Sequence, residues 1–288
     1  MGIALEVVTG YASPASTTGG TYVPFTANAP QSYAIRQANG VPAANMLAPW
    51  AEFEAAGFLQ IKSPRMHDTT IGTTFSVQAD SAAFSGIPLE ALDYDEPVYS
   101  TDILTVNFTN ASSQTATTDY AMGVPFWYPD LPGVQANLLT WQQIMALNNV
   151  PNKVGDHYVS WVAPTTAGTA GQIGTGVAIN SVNDQFRANH SYALLGYLPQ
   201  DPVCSVLVQG VDTGNLYLGG PGTLDVRQTR NFFVDMSLAQ GLPTIPVIQA
   251  NNKGNTFVSV QGVQTTSTAT PVGLVWMDLG ILNTPVAA

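Results

Sequence analysis

The chain has 288 residues, 45% of them hydrophobic and only 9% charged, with a formal net charge of −11. That balance excludes wrapping of nucleic acid or attachment to anionic lipid, which need basic faces, and disorder, which pairs low hydrophobicity with high charge. Its single cysteine, Cys204, excludes an internal disulfide and a multi-thiolate metal site.

Short β-branched or aromatic runs bounded by Gly, Pro, Asn or Asp dominate the chain and predict strands. The first is 3–8 (IALEVV), followed by a Gly/Pro/Thr-rich stretch, 9–31, that reads as an arm or linker. Strands are then predicted at 33–36, 58–63, 69–78, 100–108 and 117–124, with a helix at 48–58 before the second of these. Residues 109–119 (TNASSQTATTD) read as an exposed hairpin tip. The best helix is 138–150, with Thr140 as N-cap and Trp141, Ile144, Met145 and Leu147 as its apolar side. Strands follow at 157–163 and 172–180, then a turn of helix within 181–191. The last third is densest, with strands at 203–210, 215–219, 223–228, 231–238, 245–249, 256–263 and 272–280. Residues 264–271 read as another hairpin tip.

Four stretches recur in order, offset by about a hundred residues: FLQIKSP with YVSWVAP, IGTTFSV with IGTGVAI, YDEPV with YLPQDPV, and YAMGVP with LYLGGP. Ordered self-similarity suggests a duplicated unit. The division expected from it is residues 1–150 and 151–288.

No nucleophile elbow, phosphate loop, H-E-x-x-H or C-x-x-C occurs. SPRMHD concentrates Arg65, His67 and Asp68 between two strands. With no nucleophile or second acid recognisable nearby, it reads as structural rather than catalytic. Glu90, Asp93, Asp95 and Glu96 offer hard oxygen ligands that suit Ca²⁺, but without EF-hand spacing they read as a solvated acidic loop. In VPFWYPDLPG, Phe126, Trp127 and Tyr128 are adjacent. They cannot all point inward, so a subunit contact or sugar-stacking platform is expected. No catalytic, cofactor or metal residue is assigned, and no enzymatic activity is expected. The first ten residues lack a basic region, so no signal peptide is expected. No apolar run approaches the roughly 18 residues of a membrane span.

A charge-poor β-rich chain with these paired stretches resembles the jelly-roll viral capsid proteins, and among them the double-jelly-roll major capsid proteins of icosahedral phages with an internal membrane. The resemblance implies an all-β fold of two tandem jelly-roll sandwiches with few short helices. The alternative is one jelly roll with an inserted or extended domain. It implies a structural role: homotrimeric, pseudo-hexagonal capsomers building an icosahedral shell. The partners would be other copies, other capsid or vertex proteins, and an underlying viral membrane. The location would be the virion, after synthesis in the host cytoplasm. The alternative function is a β-sandwich carbohydrate-binding or receptor-binding spike protein. The resemblance also suggests that the arm at 9–31 reaches a neighbour or the layer beneath, so that deleting residues 1–31 would leave the barrels folded but impair assembly.

Overall fold

The computed structural model describes residues 2–27, 44–47, 49–62, 73–77, 96–99, 103–148, 157–162, 176–179, 186–198, 203–221, 230–251, 258–264 and 271–282. Among them are nineteen strands and two short α-helices. The protein is all-β, and all but one of the strand pairs among the described residues are antiparallel.

The first half contributes β1 (Ala4–Ala12), β2 (Val23–Pro24), β3 (Thr26–Ala27), β4 (Ala44–Met46), β5 (Trp50–Phe53), β6 (Gly57–Lys62), β7 (Thr73–Val77), β8 (Glu96–Val98), β9 (Thr105–Asn110) and β10 (Tyr120–Tyr128). One sheet runs β1-β10-β4-β8, with β5 continuing the line of β4 along β10; the other runs β2-β9-β6-β7. Residues 23–27 pass from one sheet to the other, since β2 pairs with β9 and β3 with β1. Counting 23–27 as one strand and 44–53 as one broken strand gives eight. Their order is first-eighth-third-sixth in one sheet and second-seventh-fourth-fifth in the other.

The second half contributes β11 (Leu138–Leu139), α1 (Trp141–Asn148), β12 (His157–Val162), β13 (Val177–Ala178), β14 (Ser191–Leu198), β15 (Val203–Gly210), β16 (Leu218–Pro221), α2 (Phe232–Gln240), β17 (Ile245–Gln249), β18 (Val258–Gln264) and β19 (Val272–Gly280). One sheet runs β12-β19-β14-β17, with β11 added beyond β17; the other runs β13-β18-β15-β16. Counted from β12, these eight strands have the same order again. The two halves join where β16 lies parallel to β1 at Leu218 and Val7, making one ten-stranded sheet that spans both.

Each half packs as a sandwich, and the buried side chains of both belong to one hydrophobic cluster. In the first, Phe108 stacks on Tyr120 (centroids 4.2 Å apart) and Phe53 meets Tyr120 edge-on at 5.1 Å, which ties β9 to β5 and β10 across the core. Phe25 closes the cluster against Phe108. The Tyr120 hydroxyl is buried in this apolar setting without a hydrogen-bond partner. Such a group costs desolvation with no return. Tyr120→Phe is therefore expected to raise stability by about 1 kcal/mol in urea unfolding; a destabilised variant would contradict the packing.

In the second sandwich Tyr197 of β14 crosses the core and donates to the Leu218 carbonyl on β16 (3.1 Å). Burial pushes its phenol well above the usual range. The folded state thus holds this proton more tightly than the unfolded state. Stability from this group is complete below pH 10 and falls as pH rises beyond it, by up to about 1.4 kcal/mol per pH unit for one proton. Tyr197→Phe is expected to shallow the alkaline loss seen in urea melts above pH 10. Identical slopes in parent and variant would sink this assignment.

The second helix candidate and several strands differ from the sequence reading. Residues 48–58 hold β5 and the start of β6 rather than a helix. Residues 231–238 form α2, not a strand; Phe232, Phe233, Val234 and Met236 are all buried, so no helical period shows. Gly241, at φ 66°, ends that helix in the left-handed conformation that favours glycine. Strand β14 was missed because its run is apolar on both faces. The helix at 138–150 is present as α1, and Thr140 caps it: the Gln143 amide donates to Thr140 Oγ1 (3.1 Å), and the Thr140 amide to Gln143 Oε1 (2.8 Å). That reciprocal pair is a capping box.

The expected arm also differs. Residues 9–12 complete β1, and 13–22 lie along the loop at 111–118 of the same chain. Thr17 and Gln114 exchange backbone hydrogen bonds of 2.9 Å, and Gly20 donates to the Asn110 carbonyl. A side chain at Gly19 would collide with the Ser112 backbone, which explains the glycine there. The strand expected at 33–36 lies outside the described residues, as do 223–228, residues 28–31 of the arm and most of the tip at 264–271.

Candidate functional site

The stretches singled out for chemistry are placed unevenly. Arg65, His67 and Asp68 lie outside the described residues, as do Glu90, Asp93 and Asp95. The Glu96 backbone pairs with Met46 at the edge of the ten-stranded sheet. No group of three potential metal ligands occurs among the described residues. In the aromatic stretch, Phe126 and Tyr128 are buried on the inner face of β10, and Trp127 is half-buried opposite Leu5 and Asn45 in mid-sheet. Phe126 and Tyr128 therefore form no stacking platform. No helix among the described residues is long and apolar enough to cross a membrane.

One polar constellation escaped the sequence reading. The buried carboxylate of Asp278, near the end of β19, faces the turn that precedes β14. His190 Nδ1 lies 2.9 and 3.0 Å from its two oxygens, and Arg187 reaches it at 3.4 Å. The Gly280 amide donates to it at 2.7 Å, and the Arg187 amide donates to the Tyr192 hydroxyl. Burial pushes the Tyr192 phenol up; the Arg187 amide opposes this, the nearby Asp278 charge adds to it, and the Arg187 guanidinium opposes it. The residues come from positions about 90 apart, which is why spacing did not reveal them. Arg187 is exposed and the His190 ring is stacked near Tyr192, so the cluster pins a turn to a strand end. Asp278→Asn removes one acceptor from this set. It is expected to cost about 1–2 kcal/mol in thermal or urea unfolding; no loss would mean that the turn is held otherwise.

The segment joining the halves is fixed in a similar way. Asn137 donates from its side chain to Asp212 (3.1 Å) and from its amide to the Asp212 carbonyl (2.8 Å), while the Gln249 amide donates to the same carboxylate (3.0 Å). Burial pushes the Asp212 carboxyl up against those two hydrogen bonds. Leu138 and Leu139 then pair with β17. The chain thus joins the second sandwich before residue 150.

The junction of the halves is closely packed. The Val7 amide donates to the Tyr217 carbonyl (2.9 Å). A β-carbon at Gly219 would lie 2.4 Å from Thr9 Cγ2, and one at Gly220 would lie 2.0 Å from the Tyr197 ring. Two consecutive glycines let β16 approach both β1 and the core of the second sandwich.

The edges of the sheets are the other feature. Strand β16, fifth in the second sandwich, docks on β1, first in the first sandwich. Among the described residues their counterparts have no strand partner on that side: β12 pairs with β19, and β7 with β6. Trp161 on β12 is 51% exposed and rests over Gly273, where an added β-carbon would lie 3.3 Å from its ring.

No protein-family model matches the sequence, and no curated protein matches it. Two solved structures resemble the chain distantly. The PBSX exported protein XepA is 10% identical, with a TM-score of 0.26, over 96% of this chain and 86% of that one. The STIV MCP is 6% identical, with a TM-score of 0.22, over 94% of this chain and 96% of that one. At such scores neither likeness carries an argument about this protein.

Proposed function

We propose that the chain is a shell-forming structural protein, a viral major capsid protein built of two tandem jelly rolls, β1–β10 and β12–β19. It would act without catalysis, assembling as trimers of hexagonal outline into an icosahedral virion shell. The observation that carries the reading is the strand order. Two consecutive sets of eight strands are wound identically, first-eighth-third-sixth against second-seventh-fourth-fifth, which is the double winding of a jelly roll. Two like units in one chain give three chains six like units, which suits a lattice of near-sixfold tiles.

The composition supports the same reading. A chain with 9% charged residues can bury polar, uncharged surface against copies of itself without stacking like charges. Vertex proteins and an underlying membrane would be its further neighbours in the particle.

Light scattering of the purified protein over a range of concentrations tests this. A mass of three chains, or particles of many chains, is the expected result. A monomer at every concentration would count against the proposal and return attention to a carbohydrate-binding or receptor-binding module.

A further inference from the structure

We propose that the free edge of β12 receives the free edge of β7 from a second copy of this chain, repeating between copies the strand contact that joins the two halves within one. The identity of the partner rests on the shell reading above; the choice of edges rests on the topology alone.

Within the chain, the fifth strand of the second sandwich pairs in parallel with the first strand of the first, at Leu218 and Val7. The sandwiches share one strand order, so the same contact has a counterpart: fifth strand of the first sandwich against first strand of the second. Those are β7 and β12, each with a strand neighbour on one side only among the described residues. Val7 is the fourth residue of β1 and Ser160 the fourth of β12, so the meeting point is expected near Ser160.

The β12 edge has the chemistry to be covered. It is six residues long, regular in register, and contains no Asp, Glu, Lys, Arg or Pro. The sequence of β7, TTFSV, is likewise uncharged. Natural edges left in solvent are protected by charge, proline, bulges or shortness. Between copies of a chain carrying −11, uncharged edges are also where close approach meets least repulsion. Trp161, 51% exposed beside this edge, supplies an aromatic anchor of the kind enriched in interface cores. The contact uses different surfaces on the two copies, so it is head-to-tail. If the step between copies matches the step within a chain, a closing rotation gives a ring with two sandwiches per chain, and the trimer proposed above corresponds to six.

Cysteine cross-linking of the full chain tests the contact. In a Cys204→Ala background, Trp161→Cys is combined in turn with Thr73→Cys, Thr74→Cys, Ser76→Cys and Val77→Cys, and the protein is oxidised. At least one pair is expected to give a covalent ladder ending at three chains, with Trp161→Cys alone giving none. Assembled protein in which no pair cross-links would overturn the contact and leave the shell reading standing. Covalent dimers from Trp161→Cys alone would overturn it in favour of β12 pairing with its own copy. A parent chain that stays monomeric would overturn both. Independently of oxidation, Trp161→Lys with Val159→Lys is expected to weaken assembly at least tenfold with the melting temperature kept within a few degrees. Unchanged assembly would overturn the contact.

Discussion

Deletion of residues 1–31 is expected to abolish the cooperative fold, not merely assembly. Strand β1 lies between β10 and β16, in the middle of the ten-stranded sheet. It pairs with β10 along nine residues, from Ala4 opposite Tyr128 to Ala12 opposite Tyr120. Leu5, Val7, Val8 and Tyr11 are all buried. At about 1.5–3 kcal/mol for each large side chain, their loss alone approaches the roughly 5–15 kcal/mol that holds a typical domain. The cut would also bare the backbone of β10 and remove the strand on which β16 docks. Urea unfolding followed by near-ultraviolet circular dichroism checks this. A truncated chain with a sharp transition near that of the parent would contradict the central place of β1. The sequence pattern suggested the opposite, because 9–31 is rich in Gly, Pro and Thr and looks unanchored.

Trp276→Ala is expected to cost about 3–5 kcal/mol, the range for emptying a large aromatic from a core. Trp276 is fully buried on β19, and its indole donates to Ser160 Oγ on β12 (2.8 Å). Phe186 meets it edge-on at 5.6 Å. Truncation would leave a cavity and also strand the buried Ser160 hydroxyl. Trp276→Phe should fall between parent and Ala, since it keeps much of the volume but not the hydrogen bond. The urea midpoint reads the loss directly if the slope is unchanged. A loss under 1 kcal/mol for the Ala variant would mean that this core is not packed as described.

Much of the fold was legible wherever one physical signal dominated. The runs at 203–210, 245–249 and 272–280 coincide with β15, β17 and β19, because short apolar runs rich in Val and Ile favour strands. Thr140 announced the start of α1 through capping chemistry that needs no tertiary partner. Where tertiary packing decided the outcome, the signal failed. α2 buries Ser237 and exposes the apolar Leu238, so NFFVDMSL shows no clean helical period and looks like a strand, and β14 is buried on both faces, so it shows no alternation.

The duplication shows the difference most clearly. The similar strings predicted two units, but they fall on strands in different places. FLQIKS covers the fourth strand of the first sandwich, whereas YVSWV covers the first strand of the second. TTFSV is the fifth strand of its sandwich and VA the second of its own. The units that share a winding are offset by about one half-chain instead. β1 and β12 begin at Ala4 and His157, 153 residues apart; β9 and β18 begin at Thr105 and Val258, again 153; β10 and β19 begin at Tyr120 and Val272, 152 apart. No residue string survives across that offset. What is repeated is the order of burial, which many sequences satisfy.

The polar groups were less legible still. His190 and Asp278 are 88 positions apart and meet only because β14 and β19 are neighbours in the second sandwich. Nothing in the sequence shows what the junction glycines do, with Gly219 closing the predicted strand 215–219 and Gly220 following it. Their purpose emerges only beside Thr9 and the Tyr197 ring.

Electron microscopy of the purified oligomer tests the central claim most directly. Class averages viewed down the assembly axis should show a ring of six similar lobes with threefold symmetry, two lobes from each chain. Rings of three lobes, or open chains and isolated particles of a single sandwich pair, would contradict the account of two equivalent units meeting through their first and fifth strands.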